Sequence, residues 1–169
     1  GPDDNAYTRS LRDMVERLDL GDSVQFLGFK PYTQLPGFLA EADIGVALFQ
    51  ATDQMKYAFH LKIVEYMAAG LAVIGTRIGE TELILDESGA GQAIECTPAA
   101  FARAATELLS DPALLRTYGE KGKAFARQYD WNQVFDSVHE IIGLERRGRD
   151  RAREQDRAEA RALRQEVVA

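Results

Sequence analysis

The residues best suited to chemistry cluster in the run HLKIVEYMAAG at positions 60–70. Glu65 stands there among Leu61, Ile63, Val64, Tyr66 and Met67. A carboxylate in such apolar company is costly unless it has partners. Leu61 to Ala69 reads as a helix rich in good formers and closed by Gly70. On that helix Leu61, Val64 and Ala68 form an apolar stripe, and Glu65 falls on it. A carboxylate one turn into a helix can accept hydrogen bonds from vicinal hydroxyls, such as those of a ribose. A local ion pair with Lys62, three residues away, accounts for it equally well. The start of the helix follows a long loop, and its free N–H groups and macrodipole attract anions, phosphate foremost. Lys62 adds a positive charge in that first turn, although a lysine there that faces solvent is the plainer reading.

Weaker signals surround this one. Gly75-Thr76-Arg77-Ile78-Gly79-Glu80 is a glycine-flanked loop after an apolar run. Such a loop permits close backbone approach to a ligand, but any strand-to-helix connection can hold glycine. His60 reads as structural or exposed as readily as catalytic, and no Ser/His/Asp set assembles from His60 and His139. There is no GxGxxG, no Walker loop and no zinc spacing, so no metal site is expected. Cys96, the single cysteine, excludes an internal disulfide framework and fits a reducing compartment. It reads as a small buried apolar residue.

The elements that must position these residues follow from hydrophobic spacing. Tyr7, Leu11, Met14, Val15 and Leu18 predict an amphipathic helix over 5–18, broken at Gly21-Asp22. Val24 to Leu27 reads as a short strand ended by Gly28. A helix is expected over Thr33 to Glu41, with Pro36 in its first turn. Ile44 to Phe49 is an apolar strand, residues 50–59 a loop, Leu71 to Ile74 a third strand, and Gly75 to Gly79 a loop. Residues 81–87 predict one or two helical turns, and Gly91 to Glu95 a weak fourth strand. Helices are expected over Ala99 to Leu109, Pro112 to Tyr129 and Trp131 to Leu144, with Pro112 at a first helical position. Strands alternating with helices, apolar on both faces, define an α/β fold: a parallel sheet with helices on both sides. In such sheets ligands sit beyond the carboxyl ends of the strands. Those ends fall at Phe29–Tyr32, Gln50–His60, Gly75–Glu80 and the turn after Glu95.

Bulk properties bound the reading. The chain has 169 residues, 46% of them hydrophobic, enough for one domain with a core. No apolar run reaches membrane-spanning length and no secretion signal is present. The expected location is therefore the cytoplasm, free or peripheral to the inner face of the membrane. Residues 145–169 hold eight arginines against six acids, and this +2 leaves −9 for residues 1–144 out of the chain's net −7. An acidic body argues against nucleic acid as a partner. Residues 145–169 have almost no large apolar side chain before Leu163. They form a separate Arg-rich segment: a charged linker, or a solvated helix laced by pairs such as Asp150/Arg153.

The stretch HLKIVEYMAAGLAVIGTRIGE resembles the donor-binding signature of the family 4 glycosyltransferases, with its E-x-M-A-x-G helix, apolar strand and glycine-rich loop. SVQFLGFKPYTQLPGFLAEADIGV is similar to the V-x-F-x-G, L-P and A-D-I blocks that precede it, and FARQYDWNQVFDSV to the Y-D-W helix that follows. The match covers residues 1–144, with the blocks in order. Gly1-Pro2 fits either the family's G-x-G-P turn or a protease-site scar. The resemblance implies a Rossmann-like domain, the C-terminal half of a GT-B enzyme, that binds a nucleotide-diphosphate sugar and needs no other cofactor. Glu65 would bind the ribose hydroxyls. Phe59, His60 and Leu61 would give backbone N–H groups to the diphosphate or donor sugar, beside Lys62. Phe29, Lys30 and Pro31 would flank the base, and Thr76 to Gly79 would line the donor side. Transfer would retain anomeric configuration.

Three departures stand out: Tyr57 replaces a glutamate common eight residues before Glu65, the lead-in is Phe59-His60-Leu61, and Gly79-Glu80 replaces a Gly-Gly pair. The resemblance places the family's phosphate-binding arginine and lysine, and the acceptor domain, before residue 1. The expected partner is that missing half, in the same or a separate chain, with self-association through an exposed sheet edge as an alternative. The chain alone is expected to be inactive. Two other readings compete. One is a nucleotide-sugar 2-epimerase of the same fold, separable by UDP-sugar assays with and without acceptor. The other is a non-catalytic binding or scaffolding module, separable by calorimetry with nucleotides.

Overall fold

The computed structural model describes residues 5–143. The Gly1-Pro2 turn and the Arg-rich segment 145–169 lie outside the described residues. The element order is α1 (Ala6–Arg17), a 3₁₀ turn (Tyr32–Gln34), α2 (Leu35–Ala40), β1 (Ile44–Ala47), α3 (Asp53–Lys56), α4 (Leu61–Ala69), β2 (Ala72–Thr76), α5 (Gly79–Ser88), β3 (Gly91–Ile94), α6 (Pro98–Ser110), α7 (Pro112–Ala126) and a 3₁₀ turn (Arg127–Tyr129). A last helix, α8, covers 131–143.

The sheet has the order β1-β2-β3 and is wholly parallel. Ile44 aligns with Ala72, and Val73 with Gly91. Every residue of β2 is buried, as a central parallel strand covered on both faces requires. Val73 faces Ile63, Val64 and Met67 of α4, Ile84 and Leu85 of α5, and Ala126 of α7. Its neighbours Ala72 and Ile74 face Ala104 and Leu108 of α6. The alternation of one strand thus divides the core into two layers. The doubly covered α/β fold read from the sequence is the fold observed.

Helix ends follow local chemistry. Asn5 caps α1 by accepting from the Thr8 N–H at 2.8 Å. Asp111 caps α7 through two backbone N–H groups, at 3.0 Å each, with Pro112 following it. Gly70, in the left-handed region at φ +86°, ends α4 and lets β2 begin at once.

Several expectations require correction. Val24 to Leu27 is not a strand: the run finds no strand partner among the described residues, and the Val24 N–H donates back to Leu20. Strand geometry without a ladder partner has nothing to hold it. Among the described residues the sheet accordingly has three strands, not four. The helix expected from Thr33 begins as a 3₁₀ turn and becomes α-helical only at Leu35. The 50–59 loop contains α3, which Thr52 caps. The helix expected over 81–87 runs from Gly79 to Ser88, and α7 tightens to 3₁₀ after Ala126. Cys96 is exposed, because it sits between the end of β3 and the cap of α6, where neither helical layer covers it. No described helix is long and apolar enough to cross a membrane.

Candidate functional site

The core face of α4 is built by Ile63, Val64 and Met67. The stripe Leu61, Val64 and Ala68, with Glu65 on it, has a different role. It forms one wall of a cleft of about 890 Å³. Of this stripe only Val64 is buried in the core; Leu61 and Ala68 are exposed. The facing wall comes from α7 and the segment after it, with Lys123, Arg127, Tyr129, Trp131 and Val134. Phe59 and Tyr32 close the cleft at its margins.

Glu65 is partly buried in this wall. Its Oε1 accepts a hydrogen bond from the Tyr32 hydroxyl at 3.0 Å. Among the described residues it forms no ion pair with Lys62, whose Nζ lies instead 5.1 Å from the centre of the Phe49 ring. The carboxylate marks its surroundings electrically. The hydrogen bond to Glu65, then its charge, raises the Tyr32 phenol above its ordinary 10.0. Tyr66, on the other side, is raised first by burial and then by the same charge. A negative group that keeps neighbouring phenols protonated is an acceptor poised for hydroxyl donors.

The other predicted residues divide. Phe59 and Leu61 line the cleft beside Glu65, and Phe59 packs against Tyr129 at 5.6 Å between ring centres. His60 does not reach the cleft wall. It is 8% exposed, stacks on Phe49 at 3.9 Å, and its Nε2 has no hydrogen-bond partner among the described residues. Its side chain makes no cap bond to α4, so no side chain closes that amino end. Thr76 is buried, and its Oγ1 accepts from the Phe49 N–H at 2.8 Å. It ties the end of β2 to the segment leaving β1. Gly79 adopts φ +45°, and a Cβ there would collide with the carbonyl of Lys56. Phe29 is exposed, the Lys30 amine lies 5.9 Å from the Phe38 ring centre, and Pro31 precedes the 3₁₀ turn. None of these three lines the cleft; the next residue, Tyr32, does.

Sequence reasoning missed Lys123 and Arg127 as cleft residues, and it placed Tyr32 only within the ligand-facing segment Phe29–Tyr32, not beside Glu65. Tyr32 follows the base-flanking triplet directly, but nothing in its spacing joins it to Glu65, 33 residues on. Lys123 and Arg127, four apart, share one face of a helix turn. That periodicity could have grouped them, but not matched them with α4.

The parallel sheet, the helices on both faces and the cleft along one crossover helix define a Rossmann-like domain. A profile of the glycosyl transferases group 1 family matches residues 1–111, and the chain belongs to that family. It is 28% identical over 144 residues to a D-inositol 3-phosphate glycosyltransferase of Corynebacterium urealyticum, covering 83% of this chain and 33% of that protein. It is 30% identical over 134 residues to the N-acetyl-alpha-D-glucosaminyl L-malate synthase of Bacillus anthracis, covering 79% and 33%. In fold it is similar to sucrose-phosphate synthase from Thermosynechococcus elongatus, with a TM-score of 0.70, 24% identity, and coverage of 85% of this chain and 36% of that one. It is similar also to Anabaena HepE, solved in complex with UDP, at TM-score 0.68, 23% identity, and coverage of 81% and 36%. The chain thus spans about a third of the length of these relatives.

Proposed function

We propose that this chain supplies part of the donor site of a glycosyltransferase that uses a nucleotide-diphosphate sugar. The observation that carries the reading is Glu65. It is a carboxylate set into the wall of a large cleft, and among the described residues its only hydrogen bond is to a phenol, with no cation paired to it. A vicinal diol is the natural complement of such a group, because it offers two O–H donors to two carboxylate oxygens. The ribose of the nucleotide provides that diol. The diphosphate would lie toward the amino end of α4, where Leu61 meets the cleft and backbone N–H groups of Phe59 to Leu61 attract anions. Lys62 strengthens that end if it leaves the Phe49 ring. That Anabaena HepE, similar in fold, is solved in complex with UDP supports a nucleotide as the ligand.

In the retaining reaction, the bond from the sugar's anomeric carbon to the β-phosphate oxygen breaks. The acceptor oxygen bonds to that carbon on the same face, and the acceptor's proton passes to the departing phosphate. Charge on the leaving diphosphate must be met by preorganised positive groups. Among the described residues the cleft offers Lys123 and Arg127 as such groups, on the wall facing Glu65, and we expect the chain by itself to bind donor weakly and to give no transfer.

Calorimetric titration with UDP, GDP and ADP tests the site. At least one nucleotide should bind, in the millimolar range, and Glu65→Ala should weaken it about tenfold or more, as expected for hydrogen bonds to a charged acceptor. Heat that does not depend on Glu65 would leave a scaffolding module as the better account.

A further inference from the structure

The Tyr32–Glu65 bond stands between two cavities. The cleft of about 890 Å³ and a second cavity of about 320 Å³ share Tyr32, Glu65 and Ala68 as wall residues. Apart from Tyr32 and Glu65, the smaller cavity is lined by Leu35, Pro36, Leu39, Ala40, Ala68 and Ala69, all apolar. Tyr32 itself is 74% exposed, so little packing holds its ring, and among the described residues its hydroxyl is the one specific anchor of the side chain. An exposed hydrogen bond has a small net free energy and exchanges readily. A phenol O–H and a sugar O–H are the same kind of donor, and a diol seated on a carboxylate uses both oxygens, Oε1 included.

We propose that Tyr32 is a positioning residue that holds Glu65 in the cleft wall, and that a ligand bearing a vicinal diol takes Oε1 by displacing the Tyr32 hydroxyl. Displacement frees the ring and opens the apolar cavity between α2 and α4 to the main cleft. Tyr32 thereby sets the affinity for the diol and controls which ligand surfaces reach the second cavity. This rests on Glu65 being the diol acceptor.

The test compares UDP with its 2′,3′-dideoxy analogue on the full chain, using wild type, Tyr32→Phe, Glu65→Gln and the double variant. Phenylalanine keeps the ring, and circular dichroism checks that each variant is folded. Tyr32→Phe should bind UDP about threefold more tightly, since the ligand no longer competes with a protein hydroxyl. It should bind the dideoxy analogue unchanged. In the Glu65→Gln background the effect of Tyr32→Phe should shrink, as coupled neighbours require. If Tyr32→Phe leaves UDP affinity unchanged or weakens it, while Glu65→Gln still weakens binding, the displacement fails and the reading of Glu65 stands. If Glu65→Gln leaves nucleotide affinity unchanged, or none of UDP, GDP and ADP binds, both fall together.

Discussion

Glu65 raises the pKa of both neighbouring phenols, Tyr32 chiefly through its hydrogen bond and Tyr66 through its charge, second there to burial. Tyr32 has its folded pKa raised above 10.0, first by the hydrogen bond to Glu65. The contribution of this bond is therefore present in full below the phenol's unfolded value and is lost as the pH rises through the higher folded one. Ultraviolet titration of phenolate, with Tyr32→Phe as the reference that isolates this ring, should show Tyr32 ionising above 10. Glu65→Gln should move it back toward the ordinary value and lower Tyr66 as well, though less, because burial dominates there. An unchanged Tyr32 titration in Glu65→Gln would mean that the bond does not form. His60 poses the opposite problem: a polar Nε2 is enclosed without a partner among the described residues. Leaving such an atom unsatisfied costs about 1–3 kcal/mol. His60→Phe keeps the stack on Phe49 and removes the orphan atom. We expect a gain of about 1 kcal/mol in urea denaturation; a loss would reveal that Nε2 is satisfied after all.

Among the elements, α3 and α5 meet at one point that tolerates no side chain. Gly79 combines φ +45° with a carbonyl of Lys56 where a Cβ would stand. Both features oppose any other residue, through backbone strain and through overpacking against an atom that cannot yield. Gly79→Ala should cost about 2–4 kcal/mol in denaturant unfolding. The sequence already marked Gly79 as a site of close approach, but assigned the approach to a ligand, whereas the backbone of α3 is what comes close. Helices whose apolar residues recur every three or four positions, such as α4 and α6, were legible because that period is local. The run Val24 to Leu27 was not, because strand identity depends on a partner elsewhere in the chain. Likewise α1 forms as its spacing predicts, yet buries no residue. Amphipathicity records a face that can pack, not what it packs against.

For the whole molecule, β1 and β3 are the edges of the sheet among the described residues. Val46 and Leu48, on or next to β1, are exposed apolar side chains. Unpaired edges with apolar neighbours invite association. Sedimentation velocity should show concentration-dependent self-association, and a Val46→Lys, Leu48→Lys double variant should shift the chain toward monomer. Assays with UDP-, GDP- and ADP-sugars and simple glycoside acceptors should detect no transfer by this chain alone; turnover by the purified chain would overturn the proposed dependence on the rest of the enzyme.

By itself the sequence determined the alternation of strands and helices, the two-faced burial of the central strand, the helix that carries Glu65 and the oddity of a carboxylate on its apolar stripe. These are properties of neighbours along the chain, set by side-chain polarity at periods of two and 3.6 residues. Only the tertiary structure decided that the stripe faces a cleft rather than the core, that Tyr32 and not Lys62 is the partner of Glu65, and that α7 supplies the opposite wall. Each of those is a meeting of segments far apart in sequence. Such meetings are fixed by how the layers pack around β2, and local spacing carries no record of that packing.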